Sequence, residues 1–134
     1  MKRSTLQRDA IRHVLTMAGR PLSIGEIFDM AKEEISGLGI ATVYRTLKAL
    51  QEEKLIEEVG LPGQTSRWEL SGKAHHHHFL CDSCSKVFEI DGCPNDLGCL
   101  LPKGYTLENH DLLLSGQCED CSKKVHFKRR SKRT

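Results

Sequence analysis

The chain has 134 residues, with 20 Lys or Arg, 18 Asp or Glu and seven His, for a formal net charge of +2. That length allows one domain or two small ones, and no run approaches the roughly 20 apolar residues of a membrane helix. No charged, apolar and small-residue segments follow one another as in a secretory leader, so a soluble cytoplasmic protein without a membrane partner is expected. The charge is uneven. Seven Lys or Arg and no acid lie between Ser122 and Thr134, which leaves −5 for the rest, whereas Met1 to Leu50 holds eight basic and five acidic residues. The basic ends suit a phosphate backbone and the acidic middle suits metal cations. Ordinary solubilising charge is the alternative, above all for the tail.

The first segment, "STLQRDAIRHVLTMAG", repeats Leu6, Ala10, Ile11, Val14, Leu15 and Ala18 with a helical period. Gly19 stops it and Pro21 follows. A second helix starts at Ser23, with Glu26 three residues on as a capping box. Its apolar face is Ile24, Ile27, Phe28 and Ala31. Gly37 and Gly39 break the next stretch, and a third amphipathic helix is predicted from Ala41 to Glu53, burying Val43, Leu47 and Leu50. "LIEEVG" and "TSRWEL" then read as two strands around the turn-rich "LPGQ". Three helices and a hairpin describe a winged helix-turn-helix, with the third helix as the reader of the major groove.

"SGKA", Ser71 to Ala74, is the linker candidate. Beyond it "HHHHFLCD", "KVFEID" and a long Leu-rich "YTLENHDLLLSG" read as strands, with a short helix near Asn95–Leu101. The expected division is 1–71, 72–121 and a basic, disordered tail at 122–134. A second domain this small is marginal unaided and calls for a structural metal.

Cys81 and Cys84 form one C-x2-C pair and Cys118 and Cys121 another. Each pair makes a tight turn that aims two thiolates at one ion, and four thiolates close a tetrahedral zinc shell. A redox dithiol, or cysteines that merely pack, are the alternatives. The histidine run His75–His78 is internal, unlike an engineered tag or a plain polar loop, and leads straight into the first pair. On a strand successive side chains point to opposite faces. His75 and His77 then share one face, and His76 and His78 the other, so one strand can serve two metal sites. Glu69, Glu89, Asp96 and His110 are the available partners, and Zn, Fe, Mn and Ni accept such mixed shells. His13 is read as part of the first helix and His126 as part of the basic tail.

Taken together, "GIATVYRTLKAL", "RWEL", "HHHHFLCDSCSKVFEI" and "NHDLLLSGQCEDC" resemble the ferric uptake regulator family of bacterial repressors, from about Arg3 to Cys121. The resemblance implies an α+β architecture: an N-terminal winged helix and a small C-terminal α/β dimerisation domain with structural zinc. It implies a homodimer that binds palindromic operators in double-stranded DNA when metal-loaded. The structural Zn2+ thiolates match Cys81, Cys84, Cys118 and Cys121. The regulatory site, for Fe2+, Zn2+ or Mn2+, matches Glu69, His76, His78 and Glu89. The additional site matches His75, His77, Asp96 and His110. The DNA-contacting positions match Arg3, Arg8, Thr42, Tyr44 and Arg45.

There are departures. The loop between the first two helices, "GRPLS", lacks the histidine that many members supply there. The region "DGCPNDLGCLLPKGY" is shorter than the family's dimerisation helix region, and Cys93 and Cys99 are extra. They are read as packing residues, with Cys93 alternatively a ligand. A metalloenzyme built on the histidine cluster is the competing class, but there is no H-E-x-x-H pair and no nucleophile motif. A zinc-ribbon interaction module is the third reading, against which the helix-turn-helix pattern counts.

Overall fold

A computed structural model describes residues 3–94 and 96–124. The chain forms two compact units, Met1–Ala74 and His75–Thr134.

The first unit opens with α1 (Arg3–Ala18), α2 (Ile24–Ala31) and α3 (Ile40–Glu52), followed by the antiparallel pair β1 (Ile56–Val59) and β2 (Arg67–Leu70). The apolar periodicity of each helix becomes one core: Ile11, Val14 and Leu15 from α1, Ile27 and Ala31 from α2, Val43, Leu47 and Leu50 from α3. Leu6, expected on the apolar face of α1, remains 45% exposed. Gly19 ends α1 with φ +62, a backbone state that costs a glycine little. The two residues that turn the chain toward α2 carry a feature absent from the sequence pattern. Leu22 bridges to Trp68, with reciprocal N–H to carbonyl bonds of 2.9 and 2.8 Å, and adds a one-residue third strand to the hairpin.

Helix α2 begins on the expected capping box: the Glu26 N–H donates to Ser23 Oγ and the Ser23 N–H to Glu26 Oε1, both at 3.1 Å. Arg20 Nη2 also donates to Glu26 Oε2 at 2.6 Å. Burial pushes the Glu26 carboxyl up, but Arg20 and Ser23 outweigh it and hold it below its usual 4.5. A carboxylate with a depressed folded-state pKa stabilises above the unfolded value, and the effect is lost as pH falls through the folded one. Glu26→Ala is therefore expected to cost about 1–2 kcal/mol at neutral pH. The gap from the parent should shrink toward roughly pH 3. Urea melts at the two pH values check this, and an unchanged gap would remove the ion pair from the account.

The second unit is a three-stranded sheet in the order β4-β3-β5. β3 (His76–Cys81) pairs antiparallel with β4 (Val87–Asp91) and parallel with β5 (Leu113–Gly116). A parallel neighbour requires a crossover, and here residues 92–112 provide it. The crossover contains a short 3-10 helix, Leu97–Leu100, within the span where a short helix was expected. The Leu-rich strand is much shorter than expected: residues 105–112 are irregular and only Leu113–Gly116 pair. Leu113 and Leu114 stay exposed, as do Leu100, Tyr105 and Leu107. Residues 119–124 are helical and cross the expected domain end at 121. The rest of the basic tail, with His126, lies outside the described residues.

Candidate metal centres and nucleic-acid interface

The four thiols of the two C-x2-C pairs converge, with all ligand atoms within 4.8 Å of one another. The first knuckle is the β3–β4 turn. Its Ser85 takes φ +62, and the Ser85 N–H donates to the Cys81 carbonyl at 2.9 Å. The second knuckle lies after β5, where the Ser122 N–H donates to the Cys118 carbonyl at 2.8 Å. The Asp82 N–H donates to the Gly116 carbonyl at 2.8 Å and ties one knuckle to the strand that leads into the other. Burial raises the Cys81 thiol, yet backbone amides of Cys84, Cys118 and Ser83 outweigh it and bring it down to about 6. Cys121 goes the other way, pushed up to about 12 by its hydrogen bond to Cys118 and by burial. Amides can stabilise one thiolate in this cluster, while the full set needs a cation.

The histidine run alternates as β3 requires. His76 and His78 share one face, with ring centroids 4.9 Å apart, and Glu89 stands directly across β4 from His78. Directly opposed residues project to the same side of a sheet, so Glu89 shares that face, although its carboxylate is not gathered with the two imidazoles into one ligand group. Glu69 belongs to the first unit. It is buried on β2, opposite Glu57 in the register, with Lys73 Nζ 3.9 Å from its carboxylate.

The other face differs from the expectation in one ligand. His75, His77 and His110 come together with Cys93, and Asp96 is outside this group. His75 Nε2 lies 3.1 Å from His110 Nε2, Cys93 Sγ lies 2.8 Å from His110 Nε2, and His77 Nε2 lies 3.3 Å from Cys93 Sγ. The reason is positional: Cys93 follows β4 by two residues and is carried alongside β3. Asp96 sits past Pro94, at the start of the 3-10 turn, and is exposed. Burial lowers the His77 pKa, and His75 and His110 lower it further, so its imidazole is kept neutral and fit to ligate. The Leu112 N–H donates to His77 Nδ1 at 3.2 Å, which places the ring proton of metal-free His77 on Nε2. Cys99 is exposed on the 3-10 turn, away from these ligands.

In the first unit, Arg8, Thr42 and Arg45 line one open groove between α1 and α3, together with Ser4, Gln7 and Ala49. Arg45 Nη2 donates to Thr42 Oγ1 at 3.1 Å, and Tyr44 is exposed beside them. The Arg3 guanidinium lies over Gly37. Arg8 is paired within the unit: Glu53, just past the end of α3, holds it through two carboxylate oxygens. The same ion pair lowers the Glu53 carboxyl and raises Arg8. His13 on α1 lies 3.6 Å from Glu34 in the turn after α2, a contact that needs no metal role.

Comparison with known proteins agrees with this arrangement. The family model for the ferric uptake regulator family matches residues 2–115. The ferric uptake regulation protein of Bacillus subtilis is 33% identical over 127 residues, covering 90% of this chain and 85% of that protein. That of Campylobacter upsaliensis is 35% identical over 99 residues, 72% of this chain but 64% of the longer relative. The structure of the Helicobacter pylori ferric uptake regulator, described as having three functional metal-binding sites, superposes with a TM-score of 0.70 at 27% identity. That superposition covers 91% of this chain and 83% of that one. With a helix-and-hairpin unit at one end and thiol and imidazole clusters at the other, the chain belongs to the ferric uptake regulator family of metal-responsive regulators.

Proposed function

We propose that this protein is a metal-dependent, dimeric DNA-binding repressor of metal-homeostasis or peroxide-stress genes. The observation that carries the reading is the alternation within β3, which gives a single strand two separate sets of imidazoles beside a four-thiol cluster. The thiol cluster is the structural zinc site of Cys81, Cys84, Cys118 and Cys121. The regulatory ion, Fe2+, Zn2+ or Mn2+, is held by His76, His78 and Glu89 with Glu69. Glu69 comes from the last strand of the first unit, seven positions before His76. A metal shared by these residues would hold the two units in one relative orientation and so favour the DNA-competent state through its differential affinity for it. The exposed leucines of β5 and the crossover suit a second copy of the chain. A two-fold dimer would read a palindrome, with the two α3 helices about one DNA turn, or a multiple of it, apart.

The groove between α1 and α3 makes the DNA side testable. Arg45→Ala is expected to weaken operator binding by roughly tenfold or more. Glu53→Gln should strengthen it by a few-fold and steepen the salt dependence, because it frees Arg8 and removes an anion at the phosphate-facing surface. An exposed ion pair of this kind adds little to stability, so folding should be unaffected. The decisive experiment is a titration of palindromic operator binding with each of Fe2+, Zn2+ and Mn2+ and with chelator. DNA binding indifferent to all of them would refute the reading.

A further inference from the structure

We propose that His75, His77, Cys93 and His110 form a closed, tetrahedral site of three imidazoles and one thiolate. Such a site takes zinc(II) in preference to iron(II) and manganese(II), and so has a different metal preference from the His76, His78 and Glu89 face. This rests on the metal-binding reading of the second unit given above. The donor set is the first argument. Three Nε2 atoms and one Sγ lie within 4.8 Å of one another, with nearest approaches of 2.8 to 3.3 Å. A carboxylate in place of Cys93 would give the nitrogen–oxygen shell that manganese and iron accept. A thiolate with imidazoles in a four-coordinate shell selects zinc and disfavours the harder ions.

The second argument is the count and origin of the ligands. Four protein donors fill a tetrahedron, so such a shell is closed, as in sites that hold rather than catalyse. They come from three places: the N-terminal end of β3, the segment just after β4, and the segment just before β5. An ion there would pin both ends of the crossover 92–112 to the central strand. That crossover carries the exposed Leu100, Tyr105 and Leu107. Metal binding releases the Cys93 thiol proton and leaves His75 and His110 each presenting an unprotonated Nε2, so the hydrogen-bonded contacts among these three are exchanged for bonds to the ion. His77 joins when its ring proton moves to Nδ1 and the Leu112 N–H gives up that acceptor.

The test uses the full chain with its four-cysteine zinc retained, to which one equivalent of cobalt(II) is added. A thiolate-to-cobalt charge-transfer band in the near ultraviolet and intense tetrahedral d–d bands are expected. Zinc should bleach them stoichiometrically, while a roughly hundredfold excess of manganese or iron should not. In Cys93→Ala the charge-transfer band should be lost. In Cys93→Asp, which keeps a ligand and guards against a folding defect, cobalt should bind without that band, and the advantage of zinc over manganese should fall by roughly tenfold or more. No charge-transfer band from added cobalt, with elemental analysis showing the original zinc in place, would overturn the proposal. So would a band that persists in both variants, or bleaching by manganese. If the band is missing while operator binding still responds to metal, this inference fails and the proposed function stands. If cobalt does not bind and operator binding is also indifferent to Fe2+, Zn2+ and Mn2+, both fail.

Discussion

Cys118→Ser is expected to release the tightly held zinc and to unfold the second unit while leaving the first unit folded. Among the described residues of that unit, the buried apolar core apart from two cysteines is Leu80 and Val87. Burying two such side chains is too little to offset the conformational entropy of ordering that unit. A structural zinc contributes on the order of 10–16 kcal/mol in small metal-folded domains, and removing one thiolate forfeits much of it. The expected result is loss of about one zinc per chain by elemental analysis and disappearance of the second unit's unfolding transition, with the first unit's transition kept. Acid should imitate the mutation. Zinc has to displace the proton held by Cys121, so affinity falls as pH falls. Full zinc and an unchanged melting profile in Cys118→Ser would refute the structural assignment.

The second large effect separates the two faces of β3. His78→Ala is expected to abolish metal-dependent operator binding while leaving zinc content and the dimer intact. His77→Ala should leave a partial, weaker response. His78 stands beside His76 and across from Glu89, on the face proposed to carry the regulatory ion. His77 is buried on the opposite face, facing His75, His110 and Cys93. Its loss should disturb the second unit first and reach DNA only through it. The first unit's inter-helix loop carries Arg20 and Pro21 rather than a histidine, and Leu22 anchors that loop to Trp68. Glu69 is therefore the first unit's proposed ligand, and Glu69→Ala should resemble His78→Ala. Matched metal titrations of operator binding decide the matter. Equal loss in the two histidine variants, or greater loss in His77→Ala, would reverse the assignment of the faces.

Local chemistry alone determined much of this protein. The Ser23–Glu26 capping box, the stop at Gly19, the three amphipathic faces of the helices and the hairpin around "LPGQ" depend on residues within a turn or two of one another. So did the two-face alternation of the histidine run, because the pleat of a strand has a period of two whatever surrounds it. The thiol spacing was equally legible, since each knuckle is a local turn. Tertiary structure decided which distant groups meet these local elements. Cys93, two residues past β4, takes the place in the imidazole cluster expected of Asp96, a meeting that spacing does not encode. Glu53 holds Arg8 because α1 and α3 pack side by side. The Leu22 bridge joins residues 46 positions apart, and the Leu-rich strand pairs with β3 over four residues alone, Leu113–Gly116. Those long-range pairings follow from how packed elements close on one another, and sequence periodicity reports only which face of an element is apolar.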